Sequence, residues 1–406
     1  MQTAIPENLL ATPDGAEANR ILRSCVHCGF CTATCPTYQL TGDELDGPRG
    51  RIYLIKQMLE GNAAGRITQR HLDRCLSCRS CETTCPSGVD YHRLLDIGRM
   101  RLGESVSRSF FHNLVHRGLR LILPYKNRFG FLLRLGQATR PLLPAAVKAK
   151  IPVRRTAKPR PTTQHNRRMI LLEGCAQPVA APNTNAATVR VLDRLGIGVI
   201  CPQGQGCCGA VSHHLAAEDE ALMFMRHNID AWWPLLEDGA EALLTTASGC
   251  GSMVKEYGHL LRNDSVYAEK ARRVSEMAFD LAEVLAGEDL NSLNLKIKTQ
   301  SVGYHSPCSL QHGQQLAGGV EKILRRFGFN LTAVADNHLC CGSAGTYSIL
   351  QPEMSRQLLD KKLEALQAGS PAVIATANIG CQLHLETQAS IPVRHWIELV
   401  DEAMDS

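Results

Sequence analysis

The chain has 406 residues, of which 44% are hydrophobic and 20% charged; this is a globular composition, sized for two or three domains and too long for a small disulfide-stapled scaffold. No apolar run approaches the ~20 residues of a membrane-spanning helix, and with aromatic residues at 5% a base-stacking surface is not expected, so nucleic acid is not an expected partner. The net charge is +5 and there are 17 cysteines, an odd number behind an N-terminus without secretory-signal design, which predicts a cytoplasmic chain whose thiols ligate metal.

In chain order, the first signal is Cys25, Cys28, Cys31 and Cys35, followed by Pro36; fifty residues later Cys75, Cys78, Cys81, Cys85 and Pro86 repeat it. A C-x2-C-x2-C loop offers three thiolates to one iron-sulfur cube while its fourth cysteine reaches the other cube. The expected ligand sets are therefore Cys25, Cys28, Cys31 and Cys85 for a first [4Fe-4S] cluster, and Cys75, Cys78, Cys81 and Cys35 for a second. Zinc sites bring cysteines as separated pairs and fit this spacing poorly. Arg23, His27, Arg74 and Arg79 flank the loops and are candidates to offset cluster charge. Ile52, Ile55, Met58 and Leu59 after Pro48, and Tyr91, Leu94 and Leu95 after the second motif, have helical spacing. Residues 1–100 thus read as a helical, ferredoxin-like domain with two [4Fe-4S] clusters.

Residues 101–168 hold sixteen Lys and Arg against the single acid Glu104, a balance of +15 that leaves −10 for the rest of the chain. This segment reads as a basic linker. Within it, Phe110, Phe111, Leu114, Val115, Leu119 and Ile122 form a helical stripe opposite Arg108, His112, Arg117 and Arg120, suited either to an anionic membrane surface or to an acidic protein face.

From Met169 onward the chain repeats. Cys175 is followed by Cys207, Cys208 and Gly209, and Cys308 by Cys340, Cys341 and Gly342, at the same spacing; Cys250 and Cys381 close the copies in Gly-containing turns. Short apolar runs at Ile170–Leu172, Ile197–Ile200, Leu243–Thr246 and Ala372–Thr376 predict parallel strands that deliver these cysteines at their C-terminal ends. The expectation is two α/β modules, 169–298 and 299–406. Cys175, Cys207, Cys208 and Cys250, with Cys308, Cys340, Cys341 and Cys381, are candidates for further iron-sulfur or redox sites. Gly204, Gly206 and Gly209 spell a dinucleotide fingerprint, but the second copy has Asn337 and Leu339 at the first two places, so only Gly209 belongs to the shared motif. His213, His214, His305, His338 and His384 lie near the cysteines; none recurs in the other copy, which favours ordinary polar histidines.

The strings CVHCGFCTATCPTYQLTGDELDGPRGRIYLIK from Cys25 and HLDRCLSCRSCETTCPSGVDYH from His71, with LEGCAQP, TASGCG, LCCGSAGTY and TANIGC, resemble the iron-sulfur subunits of bacterial glycolate oxidase, also called glycolate dehydrogenase. The iron-sulfur subunits of anaerobic glycerol-3-phosphate dehydrogenase, lactate-utilisation systems and heterodisulfide reductase share the architecture. The resemblance implies an α plus α/β chain with a dicluster domain and two cysteine-rich (CCG) modules. It implies an oxidoreductase complex whose FAD-containing subunits oxidise glycolate to glyoxylate, and D-lactate to pyruvate, while this chain passes electrons towards membrane quinone from a peripheral, cytoplasmic-side position. No catalytic residue for substrate is expected here. Alternatives are the same role in a lactate or glycerol-3-phosphate dehydrogenase, or a self-contained thiol-disulfide reductase. In heterodisulfide reductase relatives the CCG motif ends in C-x-x-C, whereas Ala247 and Asn378 occupy the first of those positions here.

Overall fold

The computed structural model describes residues 1–297 and 300–404. The boundary expected at 298/299 lies outside the described residues. The chain forms two units: one comprises Met1–Arg117 with His214–Ala216 and His338–Asp360, the other Gly118–His213, Ala217–Asn337 and Lys361–Ser406.

The first unit is helical. Thr12 caps the helix Pro13–Ser24 by accepting from the Gly15 amide at 3.1 Å, with Pro13 at the first helical position where its missing N–H costs nothing. The helices Pro48–Leu59 and Tyr91–Ser105 follow the expected spacing. They cross closely at Gly98, where a Cβ would stand 2.8 Å from the Ile55 side chain. Ile21, Leu22, Ile55, Leu72, Leu94, Leu95 and Leu102 form the core between these helices. Burial of this apolar surface, at roughly 25 cal/mol per Å², is what holds the cysteine loops against the helices.

The second unit contains two four-stranded parallel sheets. The first is built from β1 (Arg167–Leu172), β2 (Ile197–Ile200), β3 (Leu243–Thr245) and β4 (Ala278–Asp280), in the order β2-β1-β3-β4. The second uses β5 (Ser301–His305), β6 (Asn330–Leu331), β7 (Val373–Thr376) and β8 (Val393–His395), in the corresponding order β6-β5-β7-β8. All the pairings are parallel, and Leu172 lies opposite Thr245 as His305 lies opposite Thr376. Helices cover these sheets, which explains why the strands read as apolar runs without alternation. Leu171, Val191 and Leu192 of the first copy share one core with Val302, Ile323 and Leu324 of the second.

The basic segment carries the helices Phe110–Ile122 and Lys126–Thr139. Phe110 and Phe111 are each 76% exposed and meet edge to face at 5.8 Å, and Leu114 is 58% exposed. Arg120 pairs with Glu220 at 2.6 Å, and the Tyr125 ring packs edge-on against Phe224 at 5.6 Å. No helix of the described residues is long and apolar enough to cross a membrane.

Candidate metal centres

The two N-terminal cysteine loops share one backbone path. His27 (φ 56°) and Gly29 (φ 83°) of the first are left-handed, as are Ser77 (φ 51°) and Arg79 (φ 59°) of the second. Left-handed residues on either side of Cys28 and Cys78 curl each loop tightly, and the short helices Phe30–Ala33 and Ser80–Thr83 then lead to Cys35 and Cys85. Arg79 adopts at some cost a conformation that Gly29 takes freely. The equivalent Thr34 and Thr84 hydroxyls touch at 3.1 Å, and Thr34 donates to the Ser80 carbonyl at 3.3 Å. The repeat in sequence is thus a pseudo-twofold pair in space.

The thiols gather in two groups of four. Burial, then Cys25, Cys85 and Cys28 around it, pushes the Cys31 thiol up to about 11. Burial pushes Cys81 well above its ordinary value, with Cys78, Glu82, Cys75 and Cys35 adding to it. Each group contains three cysteines of one motif and the fourth of the other. Four thiols gathered around one centre can all be thiolates only about a cation, so the donor set fits an iron-sulfur cluster in each group. A cavity lined in part by Cys25, Cys28, Cys31 and Cys85 opens beside Arg49.

A buried ionic network backs the second group. Arg51 is fully buried; its Nε donates to the His71 carbonyl at 2.7 Å and its terminal nitrogens to Thr37 Oγ1 at 3.2 Å. Asp46 pairs with His71 Nδ1 and with Arg74, both at 2.8 Å. Thr37 in turn lies 3.3 Å from the Cys35 sulfur and donates to the Asp46 carbonyl at 2.7 Å. Although burial disfavours a charged Arg51, Cys75, Tyr91, Cys35 and Asp46 hold its guanidinium protonated even more firmly than usual. Of the cations expected beside the loops, Arg74 therefore has a defined partner. Burial and nearby cations lower the pKa of His27, so the neutral ring is favoured there. Arg51 was not apparent as a site residue because it sits in an apolar helical stripe.

The first CCG copy brings its four cysteines together. Cys175 follows β1, Cys207 and Cys208 follow β2, and Cys250 lies in the first turn of the helix Ser248–Lys255 after β3. Contacts run from Cys175 to Cys207, to Cys208, to Cys250; the Cys207 sulfur and then burial drive the Cys175 thiol far up. The Tyr257 hydroxyl donates to the Cys208 carbonyl at 2.9 Å, and Asn228 Nδ2 donates to the Cys207 carbonyl at 2.8 Å. Gly209 (φ 89°) donates its N–H to the Cys207 sulfur at 3.4 Å, and a Cβ there would come within 3.0 Å of the Ala221 carbonyl oxygen. The second copy repeats the turn: Gly342 (φ 88°) donates to Cys340 at 3.4 Å and leaves a Cβ only 2.6 Å from the Ser355 carbonyl oxygen. The glycine of the CCG motif thus reflects both a left-handed backbone and a helix passing against it.

Cys381 lies in the helix Ile379–Leu385 after β7, so both closing cysteines are helical rather than in a turn. Asn378, at the place of a missing cysteine, donates from Nδ2 to the Cys381 sulfur at 3.4 Å and accepts from the Gly249 amide at 3.2 Å. Within the first unit, the buried Tyr347 donates to the Arg74 carbonyl at 3.1 Å, and both Cys75 and Cys340 act on its hydroxyl, whose pKa burial raises. Nothing in the spacing of Tyr347 signalled this position. The seventeenth cysteine, Cys201, accepts from Arg160 at 3.3 Å away from the four-thiol group.

Comparison with known families agrees with this geometry. Residues 21–89 match the 4Fe-4S dicluster domain, and residues 169–255 and 302–386 each match the cysteine-rich domain. The N-terminal part is therefore a two-[4Fe-4S] domain. Over 406 residues and the whole of both chains, 57% of positions are identical to the glycolate oxidase iron-sulfur subunit of Escherichia coli (strain K12). A probable glycolate oxidase iron-sulfur subunit of Bacillus subtilis (strain 168) is 31% identical over 90% of this chain and 88% of its own. Lactate utilization protein A of Bacillus licheniformis is 30% identical over 52% of this chain and 87% of its own.

Proposed function

Because this chain belongs to the family of glycolate oxidase iron-sulfur subunits, we propose that it is the electron-carrying subunit of a glycolate dehydrogenase complex. Its FAD-containing partners oxidise glycolate to glyoxylate, and D-lactate to pyruvate, and this chain carries the electrons towards membrane quinone. It holds no substrate-oxidising residue of its own. The observation that carries the reading is the gathering of eight cysteines into two four-thiol groups that exchange their fourth members.

Cys25, Cys28, Cys31 and Cys85 would hold the first [4Fe-4S] cluster, and Cys75, Cys78, Cys81 and Cys35 the second. When bound, such clusters supply one-electron transfer. The chain's own residues exclude water around the thiolates, fix their spacing through the paired left-handed turns, and set a guanidinium against the second group. Tyr347, acted on by both Cys75 and Cys340, supports a route between the dicluster domain and the second CCG copy. Cys175, Cys207, Cys208 and Cys250, and in the second copy Cys308, Cys340, Cys341 and Cys381, would hold further iron-sulfur centres. The functional parts are residues 1–100, the basic linker 101–168, and the modules 169–298 and 299–406. The exposed Phe110, Phe111 and Leu114 beside basic residues support peripheral contact with the cytoplasmic face of the membrane.

The test is glycolate-dependent dye reduction by the anaerobically reconstituted chain, alone and with its flavoprotein partners. The chain alone should be inactive and should support activity only in the complex. Turnover by the lone chain would replace this reading with a self-contained reductase.

A further inference from the structure

The two CCG copies are equivalent in strand order and cysteine spacing, and among the buried positions at which they differ is the one that ends the first strand of each. Leu172 ends β1 three residues before Cys175, and His305 ends β5 three residues before Cys308. The sheets confirm the equivalence, since Leu172 pairs with Thr245 and His305 with Thr376, each five residues before its closing cysteine, Cys250 or Cys381. Leu172 belongs to an apolar core. The fold therefore asks only for a packed side chain here, and a histidine has no architectural cause.

His305 has no solvent exposure, and among the described residues neither ring nitrogen has a hydrogen-bond partner. Leaving a buried polar group unsatisfied is costly, so two orphaned nitrogens call for an occupant. A ring nitrogen of His305 and the Cys381 sulfur come within 4.8 Å of each other, a span that a shared metal atom can bridge.

We infer that His305 is an iron ligand of the second CCG copy, making that centre a mixed nitrogen and thiolate site while its counterpart in the first copy is ligated by thiolates alone. The inference rests on the reading that the second copy holds an iron-sulfur centre. Cys308 and Cys381 would be its thiolate partners. His305 takes the place of Leu172 and not of a cysteine, so its imidazole would be added to the repeated thiolates rather than exchanged for one of them.

The full chain, purified anaerobically with its clusters and labelled with 15N-histidine, can be examined by pulsed EPR alongside iron analysis. A centre other than the two N-terminal clusters should show histidine nitrogen coupling that responds to the label. In His305→Leu, which copies the first module, that coupling should be lost while the N-terminal signals remain. His305→Cys should keep a centre in place but without the nitrogen coupling, which preserves the test if the leucine variant does not fold. Nitrogen coupling that persists in either variant, or a third centre with none in the unmutated chain, would overturn the assignment of His305. Iron no greater than the N-terminal clusters account for would instead overturn the reading of the module, and His305 with it.

Discussion

The Arg51 guanidinium stands 3.7 Å from the Asp46 carboxylate, with side-chain exposures of 1% and 0%. A charge pair this dry is not selected for net stability, because desolvation offsets most of its attraction. Its position beside Cys75 and Cys35 gives it another consequence: a fixed positive charge favours the more negative, reduced state of the second cluster. Arg51→Gln should lower that cluster's potential by on the order of 50 mV, equivalent to about 1 kcal/mol for one electron. Potentiometric EPR should show the other cluster shifted less. The variant should also be less stable, since it leaves Asp46 short of one buried partner. Equal shifts of both clusters would argue against a local effect.

The crossed ligand sets make a second expectation. Cys28→Ser and Cys35→Ser lie in the same motif but in different thiol groups. EPR of the two variants should therefore lose different cluster signals. Loss of the same signal from both would show that each motif serves a single cluster.

The CCG glycines differ in the room available to a side chain. At Gly342 a Cβ would meet a backbone oxygen at 2.6 Å, and at Gly209 at 3.0 Å, both with positive φ. Gly342→Ala should cost roughly 1–3 kcal/mol, and more than Gly209→Ala. Chemical unfolding of the cluster-loaded variants measures the difference, and equal costs would mean that φ alone decides.

Asp280 ends β4 and caps the helix Leu281–Ala286, accepting from the Ala282 amide at 3.0 Å. Burial pushes its carboxyl up from 3.8 to about 7, against that hydrogen bond and with Glu283 reinforcing the rise. The folded chain therefore binds this proton more tightly than the unfolded chain. Its contribution to stability is full below about pH 4 and is lost as pH rises through about 7. Asp280→Asn keeps an acceptor for the cap but cannot ionise. Relative to the unmutated chain it should gain stability between pH 5 and pH 8, by at most roughly 4 kcal/mol. Thermal unfolding across that range checks this, and a difference independent of pH would show that the carboxyl is ionised throughout.

For the membrane, the aromatic stripe rather than Arg120 is the part to change, because Arg120 is paired with Glu220. Phe110→Ser with Phe111→Ser, or Arg117→Glu, should weaken co-sedimentation of the assembled complex with anionic vesicles at low salt. Each cation near such a surface contributes about 1 kcal/mol and is screened within a Debye length, so high salt should release the complex. Dye-linked activity should be unchanged. Dissociation of the flavoprotein subunits without vesicles would make the segment a partner-docking strap.

Features that depend on local spacing are legible in the chain before it folds. The two cysteine loops, the duplicated CCG pattern and the strands at Ile197–Ile200 and Val373–Thr376 could be read directly, since loop geometry and a buried parallel strand each impose a short, contiguous signature. The crossed placing of Cys35 and Cys85 is likewise an expectation from spacing, which the Cys28→Ser and Cys35→Ser variants test. Tertiary structure decided what depends on residues far apart in the chain. Arg51 is an ordinary helix residue until folding places Asp46, Thr37 and the His71 carbonyl around it. Tyr347 reaches the Arg74 carbonyl across 273 positions. His305 reads as a polar histidine, because none recurs in the other copy; only the strand register shows that it replaces a core leucine, and only burial leaves both its nitrogens without partners. Spacing along a chain encodes which thiols a loop can present, but the charge and the ligands around them come from whichever distant segments the core brings into contact.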